Sequence, residues 1–275
     1  MLPIFTVTYS EDFWATVLQA HSIEKFVDDP TVHYVAIEDA FTHNRGGQYT
    51  QRSIEEWKQQ LEPIYQKHKL VLITQDRYPK FWLHDQISGW TRQQYIKLCI
   101  ADMLRGGRSL SLDTKNVFVH TVNISDTYRL AHGAQAVIDD NYLGSYKPWI
   151  EHVETVLNTQ RPKNYWMFGT PFVFKNRTVQ NIARRTDLAG LFLHPSVSDI
   201  HMLASEYLLY SFFVPEQEIQ PYSVKNNPVY TYYRDMLNSI DQRNQVKQKL
   251  IDAGLPAHAV IPAVNTSRRD RYPLG

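Results

Sequence analysis

Acidic residues recur in this chain at the ends of short apolar runs. "VHYVAIED" closes on Glu38 and Asp39, "LVLITQD" on Asp76 and "SLSLD" on Asp113. A carboxylate in such a place can hold a divalent ion or accept hydrogen bonds from a ribose, and it can equally well start the next turn. Asp113 has a companion, because Lys115 follows it closely in "LDTKN". Where a second acid would help to hold a metal, a lysine supplies positive charge without one. That opens a metal-independent route to binding a diphosphate.

Two more positions carry charge beside apolar neighbours. In "GWTRQQYIKLCIADML", Ile96, Cys99, Ile100, Met103 and Leu104 keep helical spacing, and at 100° per residue Gln93 and Lys97 border that stripe. A lysine there can lay its stem along the core and present its ammonium at the rim; an ordinary snorkelling lysine beside a surface glutamine is the plainer reading. In "HMLASEYLLYSFFV", Met202, Glu206, Leu209 and Phe213 fall on one stripe. A carboxylate among such neighbours needs a partner, or its pKa rises. Glu206 therefore reads as a general base or acceptor-hydroxyl ligand, or else as half of a structural ion pair. His120, His194 and His201 show no metal-binding spacing and read as structural. Cys99, the one cysteine, lies on an apolar helix face, so the chain has neither an internal disulfide nor a cysteine zinc site.

These residues need elements to position them. "IFTVTY" is strand-like, and Ser10 is a candidate cap for the helix that follows, with Glu11 and Asp12 in its first turn. "VHYVAIED", "LVLITQD" and "SLSLD" continue as strands, separated by the helical patterns "SIEEWKQQLEPIYQKHK", bent or ended at Pro63, and "GWTRQQYIKLCIADML", stopped by Gly106 and Gly107. Strands alternating with helices imply an α/β fold with a mainly parallel sheet covered on both faces. Ligands of such sheets bind outside the carboxyl ends of the strands. Tyr9, Glu38, Asp39, Asp76 and Asp113 all fall there.

Further along, "KPWIEHVETVLN", "TVQNIARRTDLAG" and "SDIHMLASEYLLYSFFV" read as helices, and "YWMFGTPFVFKN" as strand-like around Gly169 to Pro171. Asn227 is a candidate cap, with Pro228 opening a long polar helix that reaches about Ala253. The result is one compact domain with a C-terminal helical tail.

Bulk properties narrow the classes. The chain has 275 residues, 43% of them hydrophobic, with 29 basic and 28 acidic side chains and a net charge of +1. Such a balance gives no footprint for nucleic acid or an anionic membrane. No stretch approaches a membrane span and the N-terminus does not read as a signal peptide, so a cytoplasmic protein is the expectation. P-loop, GxGxxG, GxSxG and kinase motifs are absent.

Taken in order, "FTVTYSEDFWATVLQAHSIEKF", "GWTRQQYIKLCIADML", "LSLDTKNVFVH", "GTPFVFKNRTVQNIA" and "ASEYLLYSFFV" resemble the glycosyltransferase-like proteins of the GT-A superfamily. They are most similar to a bacterial group linked to surface-polysaccharide genes. The resemblance runs over about residues 4 to 214 and implies a GT-A-like, Rossmann-related domain at 1–220. Residues 1–120 would form the nucleotide-sugar half and 121–220 the acceptor half, with a helical extension at 221–275. A nucleotide-sugar donor is implied, a UDP-sugar being favoured, with a glycan or lipid-linked acceptor. Thr8 and Tyr9 would lie near the base, and Glu38 or Asp39 would bind base or ribose. Gln93, Lys97, Asp113 and Lys115 would form the phosphate side. "DTK" stands where many GT-A enzymes carry a DxD motif that holds Mn²⁺ or Mg²⁺. Lys115 replaces the second acid, so Asp113 would be the remaining metal ligand. Glu206, with Asp199 as runner-up, would face the acceptor. A nucleotide- or glycan-binding protein that kept the fold without the chemistry is the alternative, followed by a sugar nucleotidyltransferase.

Overall fold

The computed structural model describes residues 1–38, 52–78, 89–104, 107–129, 131, 133–134, 137–138, 147–160, 166–167, 169–188, 192, 205–215, 218, 228–232 and 239–256. Asp39 and Asp199, both expected at the site, lie outside them, as do His194 and His201.

The first half alternates as the sequence predicts. Strand β1 (Ile4–Thr8) leads to helix α1 (Phe13–Phe26), and β2 (Val32–Ile37) to α2 (Ile54–Leu61). Then follow β3 (Lys69–Ile73), α3 (Gly89–Met103) and β4 (Arg108–Leu112). All five residues of β1 are buried, as a central strand covered on both faces must be. Pro63 falls in a 3-10 turn that ends α2, and Gly107, in the left-handed region at φ 65°, turns the chain between α3 and β4.

The second half adds β5 (Asn116–Phe118), α4 (Ile124–Thr127), β6 (Gly133–Ala134), β7 (Val137–Ile138), α5 (Lys147–Leu157) and β8 (Trp166–Met167). After these come β9 (Phe172–Lys175), α6 (Asn176–Arg185), α7 (Glu206–Ser211), β10 (Val229–Thr231) and α8 (Ile240–Asp252).

Six strands form one sheet in the order β3-β2-β1-β4-β9-β6. The first four are parallel, while β9 runs antiparallel to both β4 and β6. The order reverses at β1: β2 and β3 lie on one side of it, β4 on the other. A crevice opens at the carboxyl ends of such a switch point.

Helices cover both faces. Phe5, Val7, Ala36 and Ile73 of the sheet meet α3, α6 and α7 through Ile96, Ile100, Ile182 and Leu208. On the opposite face Ile4, Leu110 and Leu112 meet Leu18 of α1, Phe118 of β5 and Leu250 of α8. Phe5, Phe172 and Phe174 are each fully buried, which contributes roughly 1.5–3 kcal/mol per side chain relative to exposure.

Three expectations change. Ser10 does not cap α1: Ser10–Asp12 form a 3-10 turn, and the Ser10 hydroxyl accepts the Arg52 N–H at 2.9 Å instead. Of the helix expected across "SDIHMLASEYLLYSFFV", residues 198–204 lie outside the described residues, and the described helix α7 begins at Glu206. Ser205 is extended, and its hydroxyl accepts from the N–H groups of Tyr207 and Leu208, so it caps the start of α7. Finally, the polar helix expected from Pro228 is divided. Val229–Thr231 pair with Phe118–Asn116 as a strand, because β-branched and aromatic residues there find an open edge; α8 begins after a fresh cap at Ser239.

Candidate active site

Helix α3 carries the site, and its burial shows why. From Thr91 to Met103 no residue is exposed, although the segment includes Arg92, Gln94 and Lys97. A helix covered on every side must pair whatever charge it carries.

Lys97 is 4% exposed and finds three partners. Its Nζ donates to Glu206 Oε1 at 2.8 Å, to Asp113 Oδ1 at 3.0 Å and to the Tyr207 hydroxyl at 3.2 Å. The other Asp113 oxygen, Oδ2, accepts from the Thr170 hydroxyl at 3.1 Å and lies 3.4 Å from Lys115 Nζ. The cluster thus has two layers. Glu206 and Tyr207 lie buried behind Lys97, while the side chains of Asp113 and Lys115, 29% and 38% exposed, face outward.

Local geometry holds Asp113 at this place. Asp113 N–H donates to Asn116 Oδ1 at 2.7 Å, and Asn116 N–H returns to the Asp113 carbonyl at 2.9 Å. The Thr114 hydroxyl donates to Asp12 Oδ2 at 2.8 Å, tying the turn to the 3-10 turn that leads into α1. From outside, Asn116 Nδ2 donates to Thr231 and Tyr232 N–H to the Lys115 carbonyl, so β10 clasps the same turn. Gly169, at φ 86°, precedes Thr170 and lets the chain turn toward Asp113.

Charge is tuned by this packing. Burial alone would lower the Lys97 pKa, but the carboxylates of Asp113 and Glu206 more than offset it and hold the ammonium well above its ordinary range. Burial would raise Asp113; Lys97 and Lys115, with the Thr170 hydroxyl, outweigh it and bring the carboxyl down to about 2. Glu206 is raised, since burial exceeds the pull of Lys97 and the Asp113 charge adds to it.

A second buried pair lies at the end of β2. Arg92 Nη1 meets Glu38 Oε1 at 3.1 Å with both side chains shut off from solvent. Glu38 N–H also donates to the Thr8 carbonyl at 2.6 Å, and the Thr8 hydroxyl shares a hydrogen bond with Thr16 at 2.7 Å. Tyr9 is half-buried and extended, Gln93 is half-buried on α3, and Asp76 is exposed in the turn after β3.

The structure therefore brings together Lys97, Asp113, Lys115 and Glu206. It places Thr8, Tyr9 and Glu38 at neighbouring strand ends, with Glu38 and the Thr8 side chain turned inward. Sequence reasoning missed Arg92, although its place one turn before Ile96 and two before Ile100 put a cation on the buried stripe. It also missed Gln19, Asn116, Thr170 and Tyr207, whose roles depend on contacts across 57 or more positions of the chain in the Thr170 case and 94 in that of Gln19.

Asp113 does not fit a divalent ion in this arrangement. One of its oxygens is held by Lys97 and the other by Thr170 and Lys115, so a metal would meet two ammonium groups. Among the described residues no three of His, Cys, Asp and Glu gather as a ligand set.

The parallel sheet with its antiparallel β9 is a fold shared with solved GT-A glycosyltransferases. A solved galactosyltransferase, LgtC, in complex with donor and acceptor sugar analogs, shares the fold with a TM-score of 0.53 at 11% identity, over 97% of this chain and 99% of that one. Mouse xyloside xylosyltransferase 1 aligns with a TM-score of 0.42 at 13% identity, over 77% of this chain and 80% of that one. The bifunctional glycosyltransferase WbbM gives 0.43 at 13%, over 70% and 34%. Residues 2–248 match the model of a family of unknown function, DUF6492, and the chain belongs to that family. Comparison with curated proteins gives no match.

Proposed function

We propose that the protein transfers a sugar from a nucleoside diphosphate sugar, a UDP-sugar being favoured, to a glycan or lipid-linked acceptor in polysaccharide biosynthesis. The observation that carries this reading is the buried Lys97 bracing Asp113 at the end of β4, beside the switch point of the sheet. Asp113, turned outward, accepts from the donor's ribose. Lys115, half-exposed beside it, neutralises the diphosphate as the bond to the sugar breaks and the leaving group gains charge. The lysine pair supplies the positive charge that Mn²⁺ or Mg²⁺ supplies elsewhere in this fold class, and donor binding needs no divalent ion.

Glu206 acts from behind. It is fully buried and its Oε1 is engaged by Lys97, so its part is to hold that lysine rather than to meet an acceptor hydroxyl. Asp199, outside the described residues, is the acid left to the acceptor side. Residues 1–120 form the donor half and 121–220 the acceptor half. The 221–275 segment contributes β10 and α8, which pack on the donor half.

The test is thermal stabilisation by a panel of nucleoside diphosphates, followed by transfer or hydrolysis of the matching nucleotide sugar. UDP is expected to raise the melting temperature, as any ligand of the native state does. A protein stabilised by none of the panel would contradict the reading. One stabilised by a diphosphate but inert with every nucleotide sugar would point to a binding protein instead.

A further inference from the structure

A row of buried polar groups crosses the α1 face of the sheet. Tyr65 precedes β3, His33 stands near the start of β2, Thr6 is central in β1 and Gln19 lies on α1. His33, Thr6 and Gln19 are all fully buried. Tyr65 hydroxyl meets His33 Nδ1; His33 Nε2 and Thr6 Oγ1 are 3.1 Å apart; Thr6 Oγ1 lies 2.8 Å from Gln19 Oε1; and Gln19 Nε2 is 2.7 Å from the Asp113 carbonyl and 2.9 Å from that of Asn116.

Chemistry fixes the direction of every link. Two carbonyls can only accept, so the Gln19 amide must present its NH₂ to them and its oxygen to Thr6. Thr6 has a single hydroxyl proton, and it goes to Gln19. His33 must therefore donate from Nε2, which leaves Nδ1 to accept from Tyr65. Burial, with the nearby His68, lowers the His33 pKa to about 3, so the ring is neutral and one tautomer satisfies the row.

We propose that Tyr65, His33, Thr6 and Gln19 form a one-way hydrogen-bond chain that sets the Asp113–Asn116 turn from the far end of the sheet. These four are positioning residues. None touches a donor; they act through the two carbonyls of the turn that presents Asp113 and Lys115. Because each donor polarises the next, the last bond onto Asp113 depends on the first. The proposal rests on the donor-site reading only for its effect on binding.

The experiment uses the full chain and UDP as probe. Thr6→Val keeps the shape and removes the central hydroxyl, Thr6→Ser restores it, and Tyr65→Phe removes one hydroxyl at the remote end. Two quantities are read: the backbone amide resonances of Asp113 to Asn116, with the His33 ring ¹⁵N shifts, and the Kd for UDP. Wild type should show the Nε2–H tautomer. In Thr6→Val the turn amides should move and UDP affinity fall about five- to tenfold, the loss of one buried hydrogen bond. Thr6→Ser should recover both. Tyr65→Phe should shift the His33 ring and move the turn amides in the same direction, and it decides the matter if Thr6→Val does not fold. An Nδ1–H tautomer in wild type, or variants with lowered stability but unmoved turn amides, would overturn the chain. If wild type binds no UDP, the donor-site reading fails while the tautomer and the turn amides still judge the chain.

Discussion

At the residue scale the central object is Lys97. A buried ammonium between two carboxylates is costly to break and of small net worth to stability, because desolvation offsets much of the attraction. Lys97→Met should therefore destabilise the protein by roughly 3–5 kcal/mol, since it strands Glu206 in the core. Lys97→Met with Glu206→Leu should recover much of the loss, and urea denaturation of the single and double variants checks this. Asp113 gives a pH signature. Its folded pKa of about 2 lies below its ordinary value of 3.8, so its stabilising contribution is complete above about pH 4 and is lost as pH falls toward 2. Glu206 works the other way: its raised pKa favours the protonated form, and the stability it adds is lost as pH rises through that value. Asp113→Asn should flatten only the acid limb of the urea midpoint against pH. An unchanged acid limb would show that the ion pair does not form in solution. The sequence revealed Asp113 and Lys115 by their place after a strand, and Glu206 by its apolar neighbours. It could not reveal that Glu206 answers Lys97, because 109 positions separate them.

At the element scale α7 and the polar interior of α1 matter most. Ser205 fixes where α7 starts and hence where Glu206 points; Ser205→Ala should cost about 1 kcal/mol, seen as a lower melting temperature, and Ser205→Asp should restore it. On β2, facing α1, the neutral His33 imposes a further pH dependence. Its ring takes a proton at about 3 when folded and near 6.5 when unfolded, so stability falls with pH between about 6.5 and 3. His33→Gln should remove that slope, although His68, also lowered by burial, retains a smaller one. A variant with the wild-type slope would place the titration elsewhere. The first strands and helices were legible because local period and burial agree: β1 to β4 fall within a residue or three of their sequence limits. The segment after Pro228 was not, because "VYT" becomes a strand only where β5 offers an edge. The start of α7 was hidden likewise, since Ser205 and the apolar residues after it fit either a continuing helix or a fresh cap.

At the scale of the molecule β10 and α8 are built into the fold. Val246 and Leu250 of α8 pack with Ile4, Leu110 and Phe118, and β10 clasps the Asp113 turn. Leu250→Ala should cost about 2–5 kcal/mol, measurable by urea denaturation, and a loss near zero would mean that α8 is dispensable. Among the described residues no helix is long and apolar enough to cross a membrane. The measurement that bears most directly on the proposed donor site is calorimetric titration of the full chain with UDP, in EDTA and again with Mn²⁺. If Lys115, with Lys97 behind it, neutralises the diphosphate, UDP should bind equally well in both buffers. Lys115→Met should then weaken it about tenfold in each, the loss of one charge-assisted contact. Binding that vanishes in EDTA and returns with Mn²⁺ would contradict the lysine-based site.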